Sequence, residues 1–346
     1  MIKNIKDFDV HQKRILARCD FDVALDDHGN IVDDFRLKMS LPTIQYLMKQ
    51  KASIILMGHL GEPEGVIVPH LTLNKVKEAL EKLLGKSISK LNDCIGEEVK
   101  TRVANMVAGE IVLLENVRFH KQETENDLSF AKQLASLGDM YVNDAFAVCH
   151  RAHASIALVP TLLPSCAGLS LGKEIEQLSR VLENPQKPLV VVMGGKKVQT
   201  KAQFIEKMLQ VGDTVIVSGL IKKEMEQENM PFRGNAKILS PSGVLDMLDI
   251  NDETIVRFTG VIEKAKTVVW NGPFGKFENP HYQKGTLAIA KAIIKSKAFS
   301  VVGGGETIAF LDSVKLTKKF SHVSTGGGSM LEFLSGETLP GIRALQ

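Results

Sequence analysis

No apolar run in the 346 residues approaches the roughly 20 that span a bilayer, and the opening MIKNIKDFDVHQKR lacks the apolar stretch of a secretory signal. Cysteine is sparse. Cys19, Cys94, Cys149 and Cys166 show no CxxC or other metal-ligand spacing, which argues against a disulfide framework or a zinc site and fits reduced thiols. The net charge of +3 is too small to mark a nucleic-acid or membrane binder, although an anionic metabolite needs only a local basic cluster. There is no GxxxxGK[ST] loop, no GxGxxG fingerprint and no HExxH pair, so neither a P-loop nucleotidase, a standard dinucleotide-binding domain nor a zincin is supported. We also find no internal repeat or low-complexity tract. These absences lead us to expect a cytoplasmic protein that handles small molecules.

What is present is a long chain, 44% hydrophobic, that exceeds the length at which a single core stops growing, so two domains are expected. Short apolar runs of strand character, among them RILARCDF, SIILMGHLG, EIVLLENVRF, MYVNDAF, PLVVVMGG, DTVIVSG, KTVVWNG and FSVVGGG, alternate with helical segments. Continuous hydrophobicity in a strand implies cover on both faces, and the alternation implies parallel sheets. The predicted fold is therefore α/β, with two Rossmann-like three-layer α/β/α domains and mainly parallel sheets. LGKEIEQLSRVLENPQKP reads as an amphipathic helix stopped at Asn184-Pro185 and is the expected hinge. The expected division is residues 1–166, a connecting helix at 167–186, and a second domain at 187–330.

Each strand run ends in polar residues or glycine, where the ligands of parallel sheets gather. In the first half these ends carry Asp20, Asp22, His59 and Arg118, with Arg36 opening a helix and Arg151 in a loop. Guanidinium groups so placed can grip a carboxylate or phosphate through paired, charge-assisted hydrogen bonds, although each arginine alone is compatible with a surface role. A rival reading gives His150 and His153, with Cys149 and His120, to a metal. In the second half, MGGKKVQTK, VVGGGETIAF and HVSTGGGSMLEF place glycines after strands and before helices. There backbone N–H groups and a helix N-terminus can receive phosphate, with Lys196, Lys197 and Lys201 nearby. Phosphoryl transfer needs positioning and charge neutralisation, and an ionised carboxylate acceptor needs no general base.

Taken in series, RCDFDV, DFRLKMSLPTI, MGHLGEPEG, LLENVRFH, YVNDAFAVCHRAHAS, GGKKVQTK, VVWNGPFGKFE, GGGETIAFL and HVSTGGGSMLEFLSGETLPG resemble the phosphoglycerate kinase family over nearly the whole chain. The resemblance implies interconversion of 1,3-bisphosphoglycerate plus ADP with 3-phosphoglycerate plus ATP, with magnesium, in a monomer. It implies that Asp20, Arg36, His59, Arg118 and Arg151 hold the phosphoglycerate and that Lys197 and Lys201 meet the moving phosphoryl. Asn271, Pro273 and Glu278 would line the nucleotide cleft. Gly303, Gly304, Gly305, Glu306 and Thr307 would meet phosphates, with Glu306 on the magnesium. Gly326, Gly327 and Gly328 would stabilise the group in flight, and residues 331–346 would return to the first domain.

This sequence departs from the family pattern at four places. Asp22 stands for an asparagine, Glu62 for a substrate-binding arginine, and Glu306 for the usual aspartate. The region after Gly219 is shortened, which implies a reduced adenine pocket. Asp22 and Glu62 add negative charge beside an anionic ligand, so a metabolite-binding or regulatory protein that kept the scaffold is the alternative to an active kinase.

Overall fold

In the computed structural model, which describes residues 2–195, 199–228, 233–243 and 248–346, two six-stranded parallel sheets organise the chain. The first contains β1 (Arg14–Arg18), β2 (Ser53–Met57), β3 (Ser89–Lys90), β4 (Ile111–Leu113), β5 (Met140–Asn143) and β6 (Ser165–Ala167), in the order β3-β4-β2-β1-β5-β6. The second contains β7 (Leu189–Met193), β8 (Thr214–Val217), β9 (Lys237–Leu239), β10 (Thr267–Asn271), β11 (Phe299–Gly303) and β12 (His322–Val323), in the order β12-β11-β10-β7-β8-β9. Every residue of β2, β7 and β10 is buried, as expected of strands covered by helices on both faces. In each sheet the chain builds outward on one side of the first strand and then crosses to the other. This leaves topological switch points beside β1 and between β7 and β10, where ligands of such sheets bind.

Residues 1–174 and 338–346 form one compact unit and residues 175–337 the other. The last residues belong to the first unit because Gly341 N–H donates to the Cys149 carbonyl at 2.9 Å. A side chain at Gly341 would come within 2.7 Å of Ile156, so only glycine allows this approach. Helices α1 (Phe35–Lys49) and α2 (Leu169–Glu183) begin in the first unit. Helices α3 (Ala202–Val211), α4 (Gly305–Ser313) and α5 (Gly327–Leu334) lie in the second. No helix of the described residues is long and apolar enough to cross a membrane.

Two features differ from the sequence reading. The run EIVLLENVRF forms only a three-residue strand, after which Asn116 turns the chain. Its amide donates to the Leu60 and Leu71 carbonyls and its side-chain oxygen accepts from Arg118 N–H. The segment LVPTLLPSCAG, which is not among the strand runs named above, contributes the edge strand β6, which pairs with β5 from Ser165 to Ala167.

Candidate active site

At the switch point of the second unit, two glycine turns bring strand ends into backbone contact. Gly194, after β7, donates its N–H to the Asn271 carbonyl, and Gly195 donates to the Pro273 carbonyl at 2.8 Å. A Cβ at Gly194 would lie 2.2 Å from the Gly272 carbonyl oxygen, and one at Gly272 would lie 2.4 Å from that of Gly194, so both positions must be glycine. Thr307 fixes the turn from α4 by accepting the Gly272 N–H at 2.9 Å. Lys201 precedes α3 and reaches back to donate to the Gly194 carbonyl at 2.8 Å. Burial lowers its pKa, and Glu306 and Glu224 oppose that shift.

The two Gly-Gly-Gly turns abut one another. A Cβ on Gly327 would stand 3.3 Å from the Gly304 Cα, and one on Gly303 would meet the Met330 sulfur at 2.6 Å. From these turns α4 and α5 start, with Gly304 and Gly326 at the N-cap positions, where glycine has no side chain to cap with. The first-turn N–H groups of α4, at Gly305, Glu306 and Thr307, have no acceptor within their own helix, the arrangement that receives phosphate. Gly304, Gly305, Glu306 and Thr307 line a cleft of about 690 Å³ together with Lys201, Asn271, Pro273 and Glu278. Leu220, Pro241, Leu248, Ile250, Phe274 and Phe277 also line it. Despite the short sequence after Gly219, an apolar slot therefore persists. Two of its polar side chains are committed internally: Asn251 bonds Ser242 and Thr254, while the Asp249 oxygens accept from Ile250 and Gly285. Lys196 and Lys197 lie outside the described residues.

The first unit gathers cations around the ends of β1 and β2. Arg18, wholly buried, donates to Ser155 Oγ at 2.9 Å and to the Cys19 carbonyl, and its NH2 lies 3.2 Å from His59 Nδ1. Glu123 accepts from both the backbone and hydroxyl of Ser155, which anchors this network. Arginine has no acceptor, so His59 Nδ1 must accept and its proton sits on Nε2. Burial, then Arg18, Arg118 and Arg36, hold the His59 pKa well below 6.5, so the ring is neutral. Its Nε2–H is buried without a hydrogen-bond partner, as are Nε and NH2 of Arg118. Leaving such groups unsatisfied costs about 1 to 3 kcal/mol each, which a ligand rich in acceptors would recover.

Arg36, near the start of α1, donates to the Asp22 carbonyl at 2.9 Å and lies 3.2 Å from Asp22 Oδ2 and 3.4 Å from Asp20 Oδ1. Burial raises the Asp20 pKa, and Arg36 is the main force against it. Glu62 faces this cluster: its oxygens lie 2.9 Å from Arg118 and 3.1 Å from Arg151. The basic pocket thus unites Asp20, Asp22, Arg36, His59, Glu62, Arg118 and Arg151. Arg18 and the Glu123–Ser155 bond behind it were not singled out from sequence, because nothing in RCDFDV separates a buried supporting arginine from a ligand-facing one.

The histidines are arranged differently from the metal reading. His153, pushed down to about 4 by burial and by Arg118 and Arg18, belongs to the basic pocket. Cys149 lies beside Asn143, and burial pushes its thiol up to about 12. A trio of potential metal ligands among the described residues is instead Asp93, Cys94 and His120, with ligand atoms within 4.8 Å of one another. There His120 Nε2 is 2.7 Å from Asp93, and burial raises the Cys94 pKa well above 9.

The phosphoglycerate kinase family pattern matches residues 5–230 and 222–337, and its break falls in the shortened region after Gly219. The phosphoglycerate kinase of Moorella thermoacetica is 40% identical over 386 residues, covering 99% of this chain and 98% of that protein. That of Dictyoglomus turgidum is 41% identical over 391 residues, covering 100% and 98%. These alignments are longer than the chain, so the relatives carry residues with no counterpart here. The solved structure of phosphoglycerate kinase from Coxiella burnetii superposes with a TM-score of 0.85 at 35% identity, covering 100% of this chain and 99% of that one. That from Pyrococcus horikoshii gives 0.87 at 29% identity, covering 100% and 98%. With its two sheets, its paired glycine turns and its full-length relatives in agreement, the chain belongs to the phosphoglycerate kinase family.

Proposed function

We propose that this chain transfers a phosphoryl group reversibly between 1,3-bisphosphoglycerate plus ADP and 3-phosphoglycerate plus ATP, with the phosphoglycerate held in the first unit and the nucleotide in the second. The observation that carries the assignment of halves is the set of buried, unpartnered donors on His59 and Arg118 in the first unit, against two abutting glycine turns that open helices in the second. The first matches a small polyanion held by fixed side chains; the second matches a phosphate chain held by backbone amides.

In this reading His59, Arg118 and Arg151 bind the acceptor's anionic groups and Asp20 and Asp22 orient Arg36. Arg36 is half-exposed and held by carboxylates rather than buried, so it can turn to the transferring group and neutralise charge that develops there. Lys201, held by the Gly194 carbonyl, supplies a second cation, with Lys197 beside it in sequence. The N–H groups at Gly326 and Gly327 receive the group in flight. Asn271 and Pro273 form the floor of the nucleotide cleft, and Glu278 meets the ribose. Because the acceptor is a carboxylate, no proton has to be removed for attack.

Glu306 is an exposed carboxylate in the first turn of α4, on the wall of the cleft. Magnesium takes one or two carboxylates alongside substrate phosphates and water, so this position fits it. When bound, the ion neutralises nucleotide phosphate charge. Helix α2 is the hinge we assign to the motion that brings the two ligands together and excludes water. A monomer acting in the cytoplasm completes this reading. The test is a coupled assay of ATP-dependent 3-phosphoglycerate phosphorylation by the purified chain. Magnesium-dependent turnover supports the reading, and its absence at saturating substrates contradicts it.

A further inference from the structure

We infer that Glu62 is a resident counter-anion of the basic pocket, seated between Arg118 and Arg151 where the acceptor's remote anionic group must go, so that binding proceeds by exchange of one anion for another. The inference deepens the kinase reading and rests on it. Its first support is geometry. The two carboxylate oxygens are divided between two guanidiniums, Oε2 to Arg118 at 2.9 Å and Oε1 to Arg151 at 3.1 Å. Such division is the way a ligand carboxylate or phosphate bridges paired arginines.

The backbone that carries Glu62 is fixed for this purpose. Gly61 donates its N–H to Asp22 Oδ1 at 2.9 Å, and its carbonyl accepts from Arg118 NH1 at 2.9 Å. With φ at +65° and a would-be Cβ 2.8 Å from Leu71, Gly61 is held in a conformation that suits glycine alone. The loop therefore delivers the carboxylate to Arg118, and the contact is more than a chance meeting of two long surface side chains.

Burial shows why the pair resists solvent and yet can open. Arg118 is only 2% exposed, so its charge is poorly hydrated and gains from a partner, whereas Glu62 is 59% exposed and stands at the pocket mouth. A rotation of the Glu62 side chain into water would vacate the place without moving the backbone. Deeper in, Arg118 Nε and NH2 and His59 Nε2 remain unpartnered, so Glu62 covers the outer part of the site and leaves the inner donors for the ligand. Asp22 repeats the arrangement at Arg36. Two carboxylates thus set against Arg36, Arg118 and Arg151 leave an incoming polyanion much less net positive charge than the arginines alone would offer.

The test is calorimetric binding of 3-phosphoglycerate to the full-length wild-type chain and to Glu62→Gln, which keeps the volume and removes the charge, at low and high potassium chloride. We expect Glu62→Gln to bind about tenfold more tightly at low salt, the equivalent of about 1.4 kcal/mol. Screening should shrink that ratio at high salt. Equal or weaker binding by Glu62→Gln, or a gain indifferent to salt, overturns the inference. Should the glutamine variant fail to fold, Glu62→Ala is read against the same outcomes. Wild-type turnover measured on the same preparation separates the two claims. Turnover without tighter binding by the variant removes only the counter-anion, and tighter binding without turnover removes only the kinase reading. If neither protein binds 3-phosphoglycerate, both fall.

Discussion

Replacing Asp144 with asparagine is expected to flatten the pH dependence of stability without undoing the fold. Asp144 follows β5 and is only 4% exposed. Its Oδ1 accepts the N–H groups of Ser170 at 2.9 Å and Leu171 at 3.0 Å, the first turn of α2, while its Oδ2 is buried without a well-formed hydrogen bond. A Cβ on Gly168 would lie 2.3 Å from Oδ1, so the cap is closely packed. Burial pushes the carboxyl up to about 7 from 3.8, despite the Thr43 hydroxyl and the two helix amides that favour its charge. Between those values the folded state binds a proton that the unfolded state has released, so stability falls as pH rises and levels off above 7. Linkage makes the cost about 2 kcal/mol at pH 5.5 and about 4 kcal/mol at pH 8.5, a loss of about 2 kcal/mol across that interval. The asparagine side chain would keep the Oδ1 acceptor and carry no charge. Urea unfolding followed by circular dichroism at the two pH values is the assay. Wild type should lose about 2 kcal/mol relative to Asp144→Asn between pH 5.5 and 8.5. A stability difference that stays constant with pH would refute the claim that a buried neutral carboxyl caps α2.

Two further outcomes concern the nucleotide cleft. Its lining is largely apolar, Asn251 is bonded to Ser242 and Thr254, and Asp249 to Ile250 and Gly285, so ADP and GDP should bind within about tenfold of each other, with pyrophosphate retaining a large share of the affinity. Calorimetry with the three ligands checks this, and strong discrimination for ADP would count against it. Glu306→Gln should raise the magnesium concentration needed for half-maximal turnover while leaving the Michaelis constant for 3-phosphoglycerate unchanged, which a magnesium titration at fixed ATP would show.

The central strands were legible because burial on both faces imposes continuous apolar runs such as LVVVM and TVVWN, and no other demand competes with it. The edge strands were not. Ser89–Lys90 and His322–Val323 are two residues long, and Ser165–Ala167 follows Pro164, features that suit an edge but resemble loop in sequence. The positions of Asp20 and His59, just beyond β1 and β2, and of the glycine turns could be anticipated, since polar residues and glycine at the ends of buried strands have little structural reason to be there. What sequence could not give was pairing across distance. Glu62 meets Arg118 and Arg151 from 56 and 89 residues away, and only the fold decides whether an acid beside a basic site faces it or solvent. Likewise the 690 Å³ cleft survives the shortened region because Leu220, Pro241, Leu248 and Ile250 supply a wall that no local pattern announces.

The basic pocket of the first unit is expected to act on the phosphoryl group in transfer, with Arg36 as the residue that acts there. Steady-state kinetics of Arg36→Ala in the direction of ATP consumption test it most directly. The expected result is a fall in kcat of at least about a hundredfold, the equivalent of about 2.7 kcal/mol of transition-state stabilisation, with the Michaelis constant for 3-phosphoglycerate changed only a few-fold. An unchanged kcat, with the whole effect in the Michaelis constant, would contradict it and leave Arg36 as a residue that only binds.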